Sequence, residues 1–228
     1  MAVRGVLLDF SGTLFRLELG AAWVRGLTNV DGTPVTEAQQ ATLLAVFTSG
    51  PSKHLPAEHR AAWDRRDLDA DTHRTVYLAA MRAAGMDVGP GVAETLYDRI
   101  LGTEYWQPYP DTVAALKAIK AAGVPIAVVS NIAWEIAPVF AAHGLTDLVD
   151  EYVLSYVEGV MKPDAKIFQT ACERIGVAPE HVLMIGDDLV ADAGATALGC
   201  RFERVEPQAT NVRHDALLTA LRAHGLAA

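Results

Sequence analysis

Acidic residues stand where apolar runs stop in this chain. Asp9 closes Val6-Leu7-Leu8 and opens Asp9-Phe10-Ser11-Gly12-Thr13-Leu14. Gly186-Asp187-Asp188 closes His181-Val182-Leu183-Met184-Ile185, and Asp192 follows. Carboxylates at the ends of buried apolar runs are costly unless something pairs with them. A divalent cation with oxygen ligands supplies that pairing, and Mg2+ is the usual partner where substrates carry phosphate. Ser130-Asn131 ends a third apolar run, and Met161-Lys162-Pro163 precedes a helix pattern. Their hydroxyl, amide and ammonium are groups that hold phosphate oxygens. The chemistry these types permit is cation-assisted handling of a small phosphorylated compound.

Such residues act together only if the fold gathers them. The apolar runs at 6–8, 125–130, 152–154 and 181–185 are short, rich in β-branched residues and closed by turn residues, the pattern of buried parallel strands. The run 200–205 alternates, as an edge strand does. Between the runs lie helix patterns. Asp111 precedes Val113, Leu116 and Ile119 and a stop at Gly123, and Asp164 precedes Ile167, Phe168, Ala171, Cys172 and Ile175 and a stop at Gly176. These are cap, periodic stripe and terminal glycine in order. Residues 137–143 and 211–226 read as two further helices. Strands alternating with helices predict an α/β fold, a parallel sheet covered on both faces. In such a sheet ligands bind beyond the carboxyl ends of the strands, where the polar residues named above stand. Residues 16–105 differ: no strand pattern is evident, and helices are predicted near 36–48, 56–67, 72–84 and 91–101. This segment reads as an inserted helical domain, with 1–15 and 106–228 forming the other.

Composition narrows the class. The 228 residues carry a net charge of −9, of which −3 falls within 16–105 and −6 in the rest. An acidic chain lacks the basic footprint of a nucleic-acid binder. The 51% hydrophobic content is that of a globular protein with a real core. Cys172 and Cys200 are too few for a disulfide framework and point to a reducing compartment. No apolar run is long enough to span a bilayer, and no signal peptide is evident, so a soluble cytoplasmic protein is expected.

The motif set resembles the haloacid dehalogenase superfamily. Residues 9–14 are similar to its first motif, D-x-D-G-T-L, except at Ser11. Ser130-Asn131 is similar to the second, Lys162-Pro163 to the third, and Gly186-Asp187 with Asp192 to the fourth. The resemblance implies a Rossmann-like three-layer core with 16–105 as an all-helical cap. It implies that Asp9 is the nucleophile and forms an aspartyl intermediate. The Asp9 carboxylate, the Ser11 backbone carbonyl and the Asp187 carboxylate would hold Mg2+. Gly12, Thr13, Ser130, Asn131 and Lys162 would bind the phosphoryl group. Asp188 and Asp192 would support the metal or orient Lys162. A carboxylate can attack phosphorus once cations cancel the repulsion between the anions.

Ser11 departs from the pattern. It occupies the place of the carboxylic acid that protonates the leaving group, a role worth about 10²- to 10⁴-fold. Slow hydrolysis of ordinary phosphate esters is therefore expected. Other readings are a carbon–phosphorus hydrolase with Lys53 as a Schiff-base residue, a metal-independent haloacid dehalogenase, and a phosphometabolite-binding pseudoenzyme. The acidic fourth motif opposes the metal-independent reading. Lys53 is the one lysine in 16–105. Arg60, Arg65 and Arg66 read as a solvated helix face, His54, His59 and His73 form no metal-ligand pattern, and Trp63 and Trp106 read as packing residues. The expected partner is a small phosphorylated or phosphonate substrate, with no nucleic acid and no membrane, and a monomer or homodimer.

Overall fold

The computed structural model describes residues 2–227, which form two compact units: residues up to Leu17 with those from Trp106 onward, and Glu18–Tyr105.

The first unit is built on a five-stranded parallel sheet. Its strands are β1 (Gly5–Leu8), β4 (Ile126–Ser130), β5 (Glu151–Leu154), β6 (Val182–Gly186) and β7 (Arg201–Arg204), in the order β5-β4-β1-β6-β7. β1 is central and pairs Leu7 with Ala127 on one side and Met184 on the other. β1, β4 and β6 are buried along their whole length, which is why they read as continuous apolar runs, whereas β7 at the edge is only partly covered. Side chains alternate between faces. Val6, Leu8, Val128, Leu183 and Ile185 pack with Leu116 and Ile119 of helix α5 (Thr112–Ala121), Val139 and Phe140 of α6 (Ala137–Ala142), and Leu217 and Leu221 of α9 (Ala216–Ala223). Leu7, Ala127, Val129, Val153 and Met184 pack with Ile167, Phe168, Ala171 and Cys172 of α8 (Ala165–Arg174). The unit is thus an α/β three-layer fold. Two features were too short to read from pattern: α7 (Ser155–Glu158), and an antiparallel pair of β2 (Phe15–Leu17) and β3 (Trp106–Pro108).

One helix cap and one helix boundary differ from expectation, for one reason. Asp111 precedes α5 but its side chain caps a different helix: Oδ2 accepts from Leu217 N at 2.7 Å and Leu218 N at 3.2 Å. That capping starts α9 at Ala216 rather than near 211. Asp164, by contrast, caps its own helix, accepting from Lys166 N at 2.9 Å.

The second unit is helical, with α1 (Glu37–Thr48), α2 (Arg60–Trp63), α3 (Ala70–Ala83) and α4 (Val92–Leu101). Thr36 and Gln39 make a capping box at α1, and Asp69 caps α3 by accepting from Thr72 N at 2.7 Å. Buried Val76, Ala80 and Met81 of α3 and Ala93, Leu96 and Ile100 of α4 repeat at helical spacing. The helix expected over 56–67 is instead the short α2 between two single 3₁₀ turns. That stretch has no continuous apolar stripe to bury, and Arg66 turns back to donate to Trp63 O at 2.9 Å. No described helix is long and apolar enough to cross a membrane.

Candidate active site

The parallel order sets the site. β1, β4 and β6 are neighbours, so Asp9, Ser130 and Asp187 leave the sheet at the same end. Lys162 comes from the turn before α8. Its Nζ donates to Asp9 Oδ1 at 2.7 Å, Asp192 Oδ1 at 2.6 Å and Val129 O at 2.9 Å. All three ammonium protons are committed, and the residue is 4% exposed. Asp192 Oδ2 accepts from Asp188 N at 3.0 Å, which ties the turn after β6 back to the same group.

Glycines permit the close approach of these loops. Gly12 has φ 88°, and a Cβ there would meet Asp187 Oδ2 at 2.7 Å. A Cβ on Gly186 would meet Asp192 Oδ2 at 2.2 Å. Larger residues at either place would push the carboxylates apart.

Negative charge is in excess here. Asp9, Asp187 and Asp192 each offer a carboxylate oxygen, and these oxygens lie within 4.8 Å of one another. Burial pushes Asp9 up to about 7 although Lys162 opposes the shift, and it also raises Asp187, with Asp192 adding to the effect. Burial works against the charge on Lys162, but Asp9 and Asp192 outweigh it and hold the ammonium above its ordinary range. Three hard oxygen donors with one ammonium suit a small divalent cation such as Mg2+. The donor set therefore fits the ion that the sequence suggests, with Asp192 present among the carboxylates in addition to Asp9 and Asp187.

The remaining residues divide. Ser130 is buried at the end of β4, and Thr13 is buried with its Oγ1 lacking a hydrogen-bond partner among the described residues. Ser11 is exposed. Asn131 clamps the third-motif backbone: its Oδ1 accepts from Lys162 N at 2.7 Å and its Nδ2 donates to Lys162 O at 2.9 Å. Asp188 stays outside the carboxylate cluster. Its Oδ1 accepts from Ala191 N at 2.8 Å and Val190 N at 2.7 Å, and these bonds pull its carboxyl below the usual range. It shapes the turn, as short acidic side chains do. Lys53 lies in the second unit on the 3₁₀ turn Pro51–His54 and is exposed. With Ser52, Leu55, Arg60, Trp63 and Asp64 it lines a cavity of about 410 Å³. A Schiff-base lysine is activated by desolvation or by a neighbouring cation, and exposure denies Lys53 the first.

Two arginines that no spacing pointed to also reach these loops. Arg204 Nε donates to Asp187 O at 3.1 Å, and Arg213 donates to the carbonyls of Gly12 and Thr13.

Known proteins resemble this chain in sequence and in fold. The chain is 34% identical over 188 residues to a glyceraldehyde 3-phosphate phosphatase of Methanopyrus kandleri, covering 78% of this chain and 81% of that one. It is 32% identical over 158 residues to a ribulose-1,5-bisphosphate 5-phosphatase of Halopiger xanaduensis, a match spanning 63% of this chain and 65% of that protein. The solved structure of L-2-haloacid dehalogenase from Xanthobacter autotrophicus with chloropropionic acid covalently bound aligns with a TM-score of 0.63 at 22% identity, over 99% of this chain and 85% of that one. The sequence profile of the haloacid dehalogenase-like hydrolases matches residues 3–198. The chain belongs to that family of hydrolases.

Proposed function

We propose that this protein is a Mg2+-dependent phosphatase of small phosphorylated metabolites, working through an aspartyl-phosphate on Asp9. The observation that carries the reading is the buried excess of carboxylate at the strand ends, three acids against the single ammonium of Lys162. Relatives named as phosphatases support it.

Asp9, Asp187 and Asp192 would hold the ion. When bound, Mg2+ lowers the repulsion between the nucleophile and the phosphate dianion. The rest falls to the chain. Lys162 fixes Asp9 Oδ1 and so orients Oδ2 for attack. Oδ2 bonds to phosphorus as the ester oxygen leaves with the electron pair of the broken bond. Water then attacks the aspartyl-phosphate, returning Asp9 as carboxylate and releasing inorganic phosphate. The unpaired Thr13 hydroxyl and Ser130 are the donors offered to phosphoryl oxygens, while Asn131 acts by holding Lys162 in place. Positioning of this kind is the main source of acceleration in phosphoryl transfer. Ser11 gives the departing alkoxide no carboxylic acid, so solvent must protonate it. Esters with good leaving groups turn over fastest. In this reading the helical unit Glu18–Tyr105 has the role of the cap, which selects the substrate.

A panel of aryl and alkyl phosphates with and without Mg2+ tests this. The expected result is Mg2+-dependent release of phosphate, fastest from the activated aryl ester. Ser11→Asp raises the rate on alkyl esters by about 10²- to 10⁴-fold. No Mg2+-dependent turnover anywhere in the panel overturns the reading, and halide release from 2-chloropropionate without metal would replace it with dehalogenation.

A further inference from the structure

The stretch between β7 and α9 is non-helical, and one side chain from it runs back into the loop after β1. Arg213 is 4% exposed. Its Nη1 donates to Gly12 O at 2.7 Å and its Nη2 donates to Thr13 O. The guanidinium lies 3.2 Å from the centroid of the Tyr109 ring. Tyr109 is itself held at both ends, its N–H donating to Leu14 O at 3.1 Å and its hydroxyl to Gln208 O at 2.8 Å. Thr112 Oγ1 adds a bond to Leu14 O at 2.7 Å. Three consecutive carbonyls, those of Gly12, Thr13 and Leu14, are thus fixed by groups about a hundred and two hundred positions away in sequence.

This is an expensive way to hold a loop. The guanidinium is buried, it meets carbonyls and an aromatic face, and its Nε lacks a partner among the described residues. A buried charge is weak ground for stability, since well-packed apolar side chains do as well. What the planar fork supplies is geometry: two donors in fixed relation on two successive peptide oxygens. The geometry matters at these two residues. Gly12 passes within 2.7 Å, measured from a notional Cβ, of Asp187 Oδ2, and Thr13 carries the unpaired buried hydroxyl.

We infer that Arg213 is a positioning residue: its guanidinium sets the backbone of the 9–14 loop and thereby places Gly12 against Asp187 and Thr13 Oγ1 in the site. The inference rests on the reading of this loop as the phosphoryl-binding loop. A lysine keeps the charge but cannot bridge both carbonyls. Arg213→Lys therefore lowers kcat on an aryl phosphate by about 10²-fold, the scale of a small misplacement, with KM changed only a few-fold. Arg213→Ala behaves alike, and free guanidinium ion, added far below unfolding concentrations, restores part of its rate. Hydrogen–deuterium exchange of the intact protein shows faster exchange confined to amides 10–15 in both variants. Folded Arg213→Lys with wild-type kcat and wild-type exchange overturns the inference, as does a slow but folded Arg213→Ala that guanidinium leaves unrescued. If the wild type neither hydrolyses phosphate esters nor binds Mg2+ by calorimetry, the proposed function falls. The exchange measurement then still decides Arg213, with faster exchange at 10–15 in its favour and unchanged exchange against it.

Discussion

Two groups of largely buried polar side chains, one in each unit, differ in charge balance. In the first unit three carboxylates, Asp9, Asp187 and Asp192, face the one ammonium of Lys162. In the second unit Asp67 lies 3.4 Å from Arg66 and 3.8 Å from His73, and His73 Nδ1 pairs with the Tyr97 hydroxyl at 2.8 Å. Asp9, Asp192 and Lys162 in the first set and Asp67 and His73 in the second are buried at a few per cent exposure, while Asp187 and Arg66 are half-buried. The helical set is closed: one anion, one cation and a hydrogen-bonded imidazole stacked 4.3 Å from Tyr77. The strand-end set is open, with more negative charge than the chain cancels. A closed buried network serves packing and local order. An open one is unfavourable unless something else completes it, which is the mark of a functional site.

The sharpest way to break this comparison is to remove one acid from each set. Asp9→Asn abolishes phosphatase turnover, a loss beyond about 10⁴-fold for a covalent nucleophile. It leaves the melting temperature at or above that of the wild type, because it removes charge from the side in excess. Asp67→Asn does the reverse, sparing turnover by the folded protein while costing about 1–3 kcal/mol of stability for a broken buried pairing. Steady-state assays and urea denaturation on both variants check this. A destabilised Asp9→Asn with a neutral Asp67→Asn would invert the argument.

The next largest effect comes from removing the lone cation. Lys162→Met leaves the acids without an ammonium and costs about 3–5 kcal/mol. Mg2+ at a hundred times its dissociation constant stabilises the wild type by about 2.7 kcal/mol. Paired denaturation curves with Mg2+ and with chelator measure both, and a wild type indifferent to Mg2+ would show that the open set is completed by something other than this cation.

What the sequence made legible follows the same division. The convergence of Asp9, Lys162, Asp187 and Asp192 could be read because parallel strands bring their carboxyl ends together whatever the intervening loops do. β1, β4 and β6 could be read because a strand buried on both faces is apolar along its length, and the edge strand β7 because its residues alternate. Partners separated widely in sequence left no such trace. Asp111 sits where a cap of α5 should sit, and only the fold shows that its carboxylate caps α9. Asn131 reads as a phosphate donor, and only the fold shows that its amide also clamps the Lys162 backbone. Arg213 falls in the stretch read as the start of the last helix, and nothing in its spacing shows that it is buried. In the helical unit, His73 lies on the buried face of α3, but that Tyr97 and Asp67 flank it is a tertiary fact.

The smallest predicted effect tests whether the helical set is closed. His73 faces Asp67, Arg66, Tyr77 and Tyr97. Asp67 favours the imidazolium, but burial and the Arg66 charge disfavour it, and the net result lowers the pKa from 6.5 to about 3. The unfolded chain therefore takes up a proton first as pH falls. The stability that neutral His73 contributes is fully present above about 6.5 and is lost progressively between about 6.5 and 3. Between pH 7 and pH 5 the loss is about 2 kcal/mol, from 1.36 kcal/mol per unit of proton linkage. His73→Gln keeps a hydrogen-bonding partner for Tyr97 and removes the titration. Urea denaturation at the two pH values is expected to show the wild type losing about 2 kcal/mol more than His73→Gln. Equal losses would mean that His73 is protonated in the folded state, drawing charge from Asp67. The helical set would then be an ion-paired cluster, and the contrast with the open acids of the sheet would rest on the count of charges alone.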